Sequence, residues 1–160
     1  MENQVLIFIT IMLCTLAFQE ANCMRRGKQA LNYPDIPVTY RVIINEVDRA
    51  DCPLAATATS PGEVELVVPQ GTNGIELMEA AVAKNKNFKF TASFNDAGLG
   101  YFIESINGVE GDVENSCFWT LSFQPYLATQ LVTSPVGISS YYPSFRAVVQ
   151  WEYRRFQHED

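Results

Sequence analysis

Residues 63–108 read EVELVVPQGTNGIELMEAAVAKNKNFKFTASFNDAGLGYFIESING, and within them the spacing of apolar side chains changes twice. Glu63-Val64-Glu65-Leu66-Val67-Val68 is rich in β-branched residues and stops at Pro69 and Gly71, which predicts a strand. Thr72 or Asn73 then offers a helix cap, with Glu76 and Glu79 near the positive N-terminal end of the dipole. Leu77, Met78, Ala81 and Val82 form a stripe at helical spacing, and Lys84 and Lys86 suit the opposite end, so a helix is expected over about 73–85. Packing into a core is the expected role of Met78. From Phe88 the period returns to two: Phe88, Phe90, Ala92 and Phe94 alternate with polar residues, and Leu99–Ile106 follows after the turn Asn95-Asp96-Ala97-Gly98. Asn107-Gly108 suits the positive φ of a type I′ turn and predicts a hairpin.

Outward from this stretch the chain adds strands and no second clear helix. Val38, Tyr40, Val42 and Ile44 alternate with polar partners, and residues 48–62 read as a loop around Cys52. Residues 117–123 (CFWTLSF) and 145–156 (FRAVVQWEYRRF) supply two more strands. The order β-β-α-β-β-β-β predicts an α+β fold, a mixed sheet packed on one helix. Pro34 and Pro37 place residues 24–37 in an N-terminal tail, so the domain is expected over 38–156.

The chain has 160 residues, 48% of them hydrophobic, with 18 Asp+Glu against 11 Lys+Arg. That is the profile of an ordered globular domain. Residues 5–18 (VLIFITIMLCTLAF) form an apolar run too short for a membrane span, and the stretch 1–23 reads as a secretory signal peptide. The rule of small residues at −3 and −1 allows a cut after Cys23, with Ala21 at −3, or just before it. The expected product is secreted and extracellular, with no later membrane span and a net charge near −5 once Glu2 and Glu20 are removed. Only Met24–Lys28 is basic, so nucleic acid is not an expected partner.

Cleavage leaves Cys52 and Cys117. In an oxidising compartment these are expected to bridge, closing a loop of about 65 residues and contributing roughly 3–4 kcal/mol. Two free buried thiols are the alternative. There is no CxxC, and the only histidine is His158, near the end of the sequence, so neither a metal site nor an anchored general base is expected. Glu110, Asp112 and Glu114 read as a solvated acidic turn before they read as a calcium loop. With no phosphate cradle either, the chain is expected not to be an enzyme.

The chemistry that is present is aromatic. Eleven Phe, Tyr and Trp side chains fall between Tyr101 and Tyr153, and most must build the core because strands bury every second residue. Gly98 and Gly100 let the backbone approach something closely, and Gln124-Pro125-Tyr126 places an amide and an aromatic on a turn. That combination fits the rim of a site for a large, partly apolar ligand.

Asn85-x-x-Phe88-Lys89-Phe90, then Gly100-Tyr101-Phe102-Ile103-Glu104-Ser105-Ile106-Asn107-Gly108, Phe118-Trp119 and Gly137-Ile138-Ser139-Ser140-Tyr141-Tyr142-Pro143 occur in that order. In this register the chain resembles the C-terminal β-domain of the cobalamin carriers, intrinsic factor and transcobalamin. The resemblance covers about residues 38–156 and implies a single β-grasp-like domain. In the full carriers the corrinoid lies between an α/α-barrel and this domain. The contacting segments correspond to Gly98, Leu99, Gly100, Tyr101, Phe102 and Ile103, and to Trp119, Thr120, Leu121, Ser122, Phe123, Gln124, Pro125, Tyr126, Leu127 and Ala128.

The α-barrel has no counterpart here, so no cobalt ligand carries over and affinity for free cobalamin should fall. The resemblance thus implies a small-molecule partner, cobalamin or another large amphipathic molecule, with no cofactor required. An extracellular protein partner or a homodimer is compatible with it. A structural or protein-binding matrix domain, using an acidic surface and a sheet edge, is the competing expectation.

Overall fold

Alternation decides where the fold starts. The computed structural model describes residues 33–45, 50–95, 98 and 100–156; the expected signal peptide and His158 lie outside them. Strand β1 spans Asp35–Ile44, and Ile36, Val38, Tyr40, Val42 and Ile44 are buried while the residues between them are not. It therefore begins three residues before the expected Val38, through Pro37. Proline is tolerated there because its missing N–H faces the side where the neighbouring strand has not yet begun. On that side Pro37 only accepts, from the N–H of Arg146 at 2.8 Å.

Strand β2 (Gly62–Pro69) runs antiparallel to β1, and helix α1 (Gly74–Lys84) follows after a short turn. Asn73 is the cap: its side chain accepts from the Glu76 N–H at 3.0 Å, and the Glu76 carboxylate accepts from the Asn73 N–H at 2.9 Å. Thr72 instead donates its hydroxyl to Pro69 O at 2.7 Å. Ile75, Leu77, Met78 and Ala81 are buried and belong to one core with Val38, Tyr40, Leu66 and Val68. An Asn73→Ala variant should lose about 1 kcal/mol of stability in urea unfolding, and Asn73→Ser should retain it, because a capping oxygen is what the first turn needs.

Strands β3 (Phe90–Asn95) and β4 (Gly100–Ile106) pair antiparallel, with an irregularity between Thr91 and Ala92. Phe88 lies before β3 rather than in it, buried edge-on against Tyr40 with ring centroids 5.5 Å apart. The expected hairpin is present: Asn107 (φ 52°) and Gly108 (φ 81°) turn β4 onto β5 (Val109–Glu110), pairing Ile106 with Val109. Strands β6 (Cys117–Gln124), β7 (Val132–Thr133) and β8 (Val148–Arg155) complete the set. The last strand starts later than Phe145 because Arg146 turns the chain at φ 56°.

The α+β class holds, but the expectation of one mixed sheet does not. The described residues form two sheets: a five-stranded one in the order β2-β1-β8-β6-β7, with β1 and β8 parallel, and a three-stranded one in the order β3-β4-β5. The division arises where β5 ends after two residues. The chain then loops through Asp112–Ser116, and β6 takes β8 as its antiparallel partner rather than β4. Among the described residues, much of the outer edges of β4 and β6 is consequently left unpaired with any strand.

A second cluster lies at the start of β6. Cys52 and Cys117 form a disulfide with Cα atoms 5.9 Å apart, surrounded by Ile44, Ala55, Val109 and Tyr153. Among the described residues no helix is long and apolar enough to cross a membrane, and no group of three or more His, Cys, Asp or Glu is placed to hold a metal ion.

Candidate functional site

The two open edges border a pair of hollows. One, of about 470 Å³, is lined by Phe102, Ile103, Glu104, Glu110, Gly111, Val113, Phe118 and Trp119. The other, of about 310 Å³, is lined by Tyr101, Phe102, Ile103, Trp119, Thr120, Leu121, Trp151 and Phe156, and by Thr133, Ser134, Val136, Gly137 and Ile138 from the segment after β6. Phe102, Ile103 and Trp119 belong to both, so β4 and β6 meet at a shared wall.

Backbone geometry fixes what β6 offers there. Cys117 exchanges two backbone bonds with Asp112, at 2.7 and 2.8 Å, and the Leu121 carbonyl accepts from Ser134 N–H at 2.9 Å. Both residues thus direct their polar groups away from β8. Strand alternation turns the N–H and C=O of Trp119, midway between them, to the same side. The Trp119 indole is held by donating Nε1–H to Val109 O at 2.8 Å and lies against Tyr153, with ring centroids 5.0 Å apart.

On β4, the Tyr101 N–H donates to Ser139 Oγ at 2.7 Å. Gly100, at φ 75°, comes so close to Ser139 that a Cβ would stand 2.5 Å from its Oγ. The glycine's freedom is spent on this internal contact. Phe102 is 64% exposed, an uncovered aromatic at the mouth of both hollows.

Charge is unevenly spread. Glu104 and Glu110 border the larger hollow, and neither makes an ion pair among the described residues. Nearby, Asp112 is held below its ordinary pKa by hydrogen bonds from the Asn115 side chain and backbone. Burial, together with the Asp112 charge, pushes Tyr153 up to about 12, so its hydroxyl stays protonated and donates to Glu110 O at 2.8 Å. The acidic turn is therefore a fixed one. On the other side, Arg154 donates Nε–H to Thr120 Oγ1 at 3.3 Å and stacks over Phe156, 5.2 Å from its centroid.

Of the residues singled out from sequence, Tyr101, Phe102, Ile103, Trp119, Thr120 and Leu121 come together at the hollows. Leu99 lies outside the described residues, and Gly98 turns in open space at φ 86°. Ser122 is buried and pairs with Thr133; the Phe123 ring packs 5.3 Å from Tyr141. Gln124, Pro125, Tyr126, Leu127 and Ala128 form a turn that closes on Arg146, whose Nη1 donates to Tyr126 Oη at 3.1 Å, and they line neither hollow. Sequence reasoning did not assign a site role to Glu104, Glu110, Val136, Ile138 or Trp151. The Gly137–Pro143 motif was the available signal for the Ile138 wall.

The fold resembles haptocorrin. The solved structure of haptocorrin in complex with Cbi superposes with a TM-score of 0.58 at 20% sequence identity, covering 77% of this chain and 26% of that one. At that identity the likeness is one of fold, and the chain spans about a quarter of the haptocorrin chain. No family model matches the chain, and no curated protein does.

Proposed function

We propose that the protein is a secreted binder of a large amphipathic small molecule, with a corrinoid such as cobalamin as the first candidate. The observation that carries this is the meeting of Tyr101–Ile103 with Trp119–Leu121 around two adjoining hollows, although fifteen residues separate the segments in sequence. Their volumes fall within or close to the range of small-molecule sites, and the lining is mostly apolar with hydroxyls from Thr120, Thr133 and Ser134. Backbone groups at an open strand edge beside an aromatic shelf suit a macrocycle with apolar edges and amide arms. The fold likeness to a protein solved with Cbi supports the same ligand class.

Calorimetric titration with cyanocobalamin, with the corrin absorbance followed in parallel, should show saturable binding at or below about 1 mM. A flat titration to that concentration overturns the corrinoid assignment.

The unpaired edge of β6 at Trp119 favours a second reading, an extracellular protein-binding domain without cobalamin affinity. It predicts that the immobilised chain retains a defined extracellular protein while cyanocobalamin gives no heat.

A further inference from the structure

The two hollows differ in charge, and that difference constrains what fills them. Among the described residues, Glu104 and Glu110 stand at the larger hollow with no basic partner, and no Lys or Arg lines either hollow. Asp112, held ionised by Asn115, adds a third negative charge close to Glu110. Arg154, the cation beside the smaller hollow, is occupied by Thr120 and the Phe156 ring. Between these ends lies the shared wall of Phe102, Ile103 and Trp119.

A second observation concerns a wall of the smaller hollow. Trp151, one of its walls, is 5% exposed, and its indole N–H meets no acceptor among the described residues. Buried donors without acceptors are rare, since each forfeits a hydrogen bond made in water. A ligand that brings an acceptor to this wall removes the deficit.

Taken with the proposed binding site, on which this inference rests, the geometry points to an amphipathic cation as the ligand class. Its apolar body lies on Trp119 and Phe102, its positive group faces Glu104 and Glu110, and a hydrogen-bond acceptor is carried toward Trp151. An anionic amphipath of the same shape is disfavoured at the acidic end. A second positive charge is disfavoured at the Arg154 end. Two exposed carboxylates attract a cation modestly in water and more strongly where aromatic rings displace solvent, which sets the expected preference at about tenfold.

The test uses three matched probes: 1-naphthylmethylamine, 1-naphthalenemethanol and 1-naphthaleneacetate. Trp119 and Trp151 are the only tryptophans in the chain, so their two indole N–H signals in a proton–nitrogen correlation spectrum report binding at the shared wall and at the smaller hollow respectively. The expected result is that both signals move with the amine at a concentration about tenfold lower than with the alcohol, and that the acetate binds weakest. In a Glu104→Gln/Glu110→Gln variant the amine-to-alcohol ratio should fall to about twofold, and in 0.5 M NaCl it should fall likewise. Glu79→Gln, an exposed helix position far in sequence from the hollows, should leave the ratio unchanged.

If the alcohol shifts the indoles and the amine binds no better, the charge inference is overturned while the hollow stands as a site. A preference for the amine that survives the double substitution also overturns it. If no probe moves either indole, the binding site itself falls, and the inference with it.

Discussion

Removal of the Cys52–Cys117 bridge should lower the melting temperature by roughly 10–20 °C. The bridge joins residues 65 apart in sequence, and a loop of that length withholds enough freedom from the unfolded chain to contribute about 4 kcal/mol. For a folded unit of this size each kcal/mol moves the midpoint by about 3–5 °C. Both sulfurs are fully buried beside Ile44, Ala55, Val109 and Tyr153, so opening the bridge also leaves two thiols in an apolar cluster. Calorimetric scans with and without reductant, and of Cys52→Ala/Cys117→Ala, check this. A shift under about 3 °C would mean that the unfolded chain is not held by the bridge.

The bridge also bears on the site. Cys117 opens β6, two residues before Trp119, and its backbone exchange with Asp112 anchors the acidic turn. Loss of the bridge is therefore expected to loosen the wall at Trp119 before it loosens the β1–β8 centre of the larger sheet, where no residue of the bridge lies.

What the sequence made legible, and what it hid, divides along the range of the interactions. The stripe Leu77-Met78-Ala81 and the Asn73–Glu76 box are local, and helix α1 was readable to within a residue or so at each end. Alternation through Val38–Ile44 is equally local. Asn107-Gly108 marks its own turn.

The split into two sheets has no such signature. Whether Trp119 stands opposite Tyr153 or opposite a residue of β4 depends on a pairing more than thirty residues distant, and either partner satisfies the same alternation. Val132-Thr133 is exposed and pairs over only two residues, too short to show a period. At the site, Tyr101–Ile103 and Trp119–Leu121 could be read as aromatic and glycine-flanked strand segments. The close approach that Gly100 permits could be foreseen, but not that its partner would be Ser139, thirty-nine residues on. Glu104 carried no local mark, and Glu110 read only as part of a solvated acidic turn. They acquire meaning only when β4 and β5 fold beside Phe118.

Trp151 offers the sharpest separation of packing from binding. It stands on β8 between Val42 of β1 and Leu121 of β6, near the middle of the larger sheet, and is almost wholly buried. Trp151→Ala should cost about 3–5 kcal/mol in urea unfolding, because the truncation leaves a cavity among strands that cannot close over it. Trp119→Ala should cost less, about 1–3 kcal/mol, since that ring is half-exposed and loses chiefly its bond to Val109 O and its contact with Tyr153.

Trp151→Phe is the decisive variant. It keeps most of the apolar contact and deletes a donor that has no acceptor among the described residues, so its stability should stay within about 1 kcal/mol of the parent. An occupant that brings an acceptor to the indole N–H would then bind Trp151→Phe more weakly than the parent while the fold is unchanged. Equal affinity for both would leave Trp151 as a packing residue only, and would confine recognition to Trp119, Phe102 and the two glutamates.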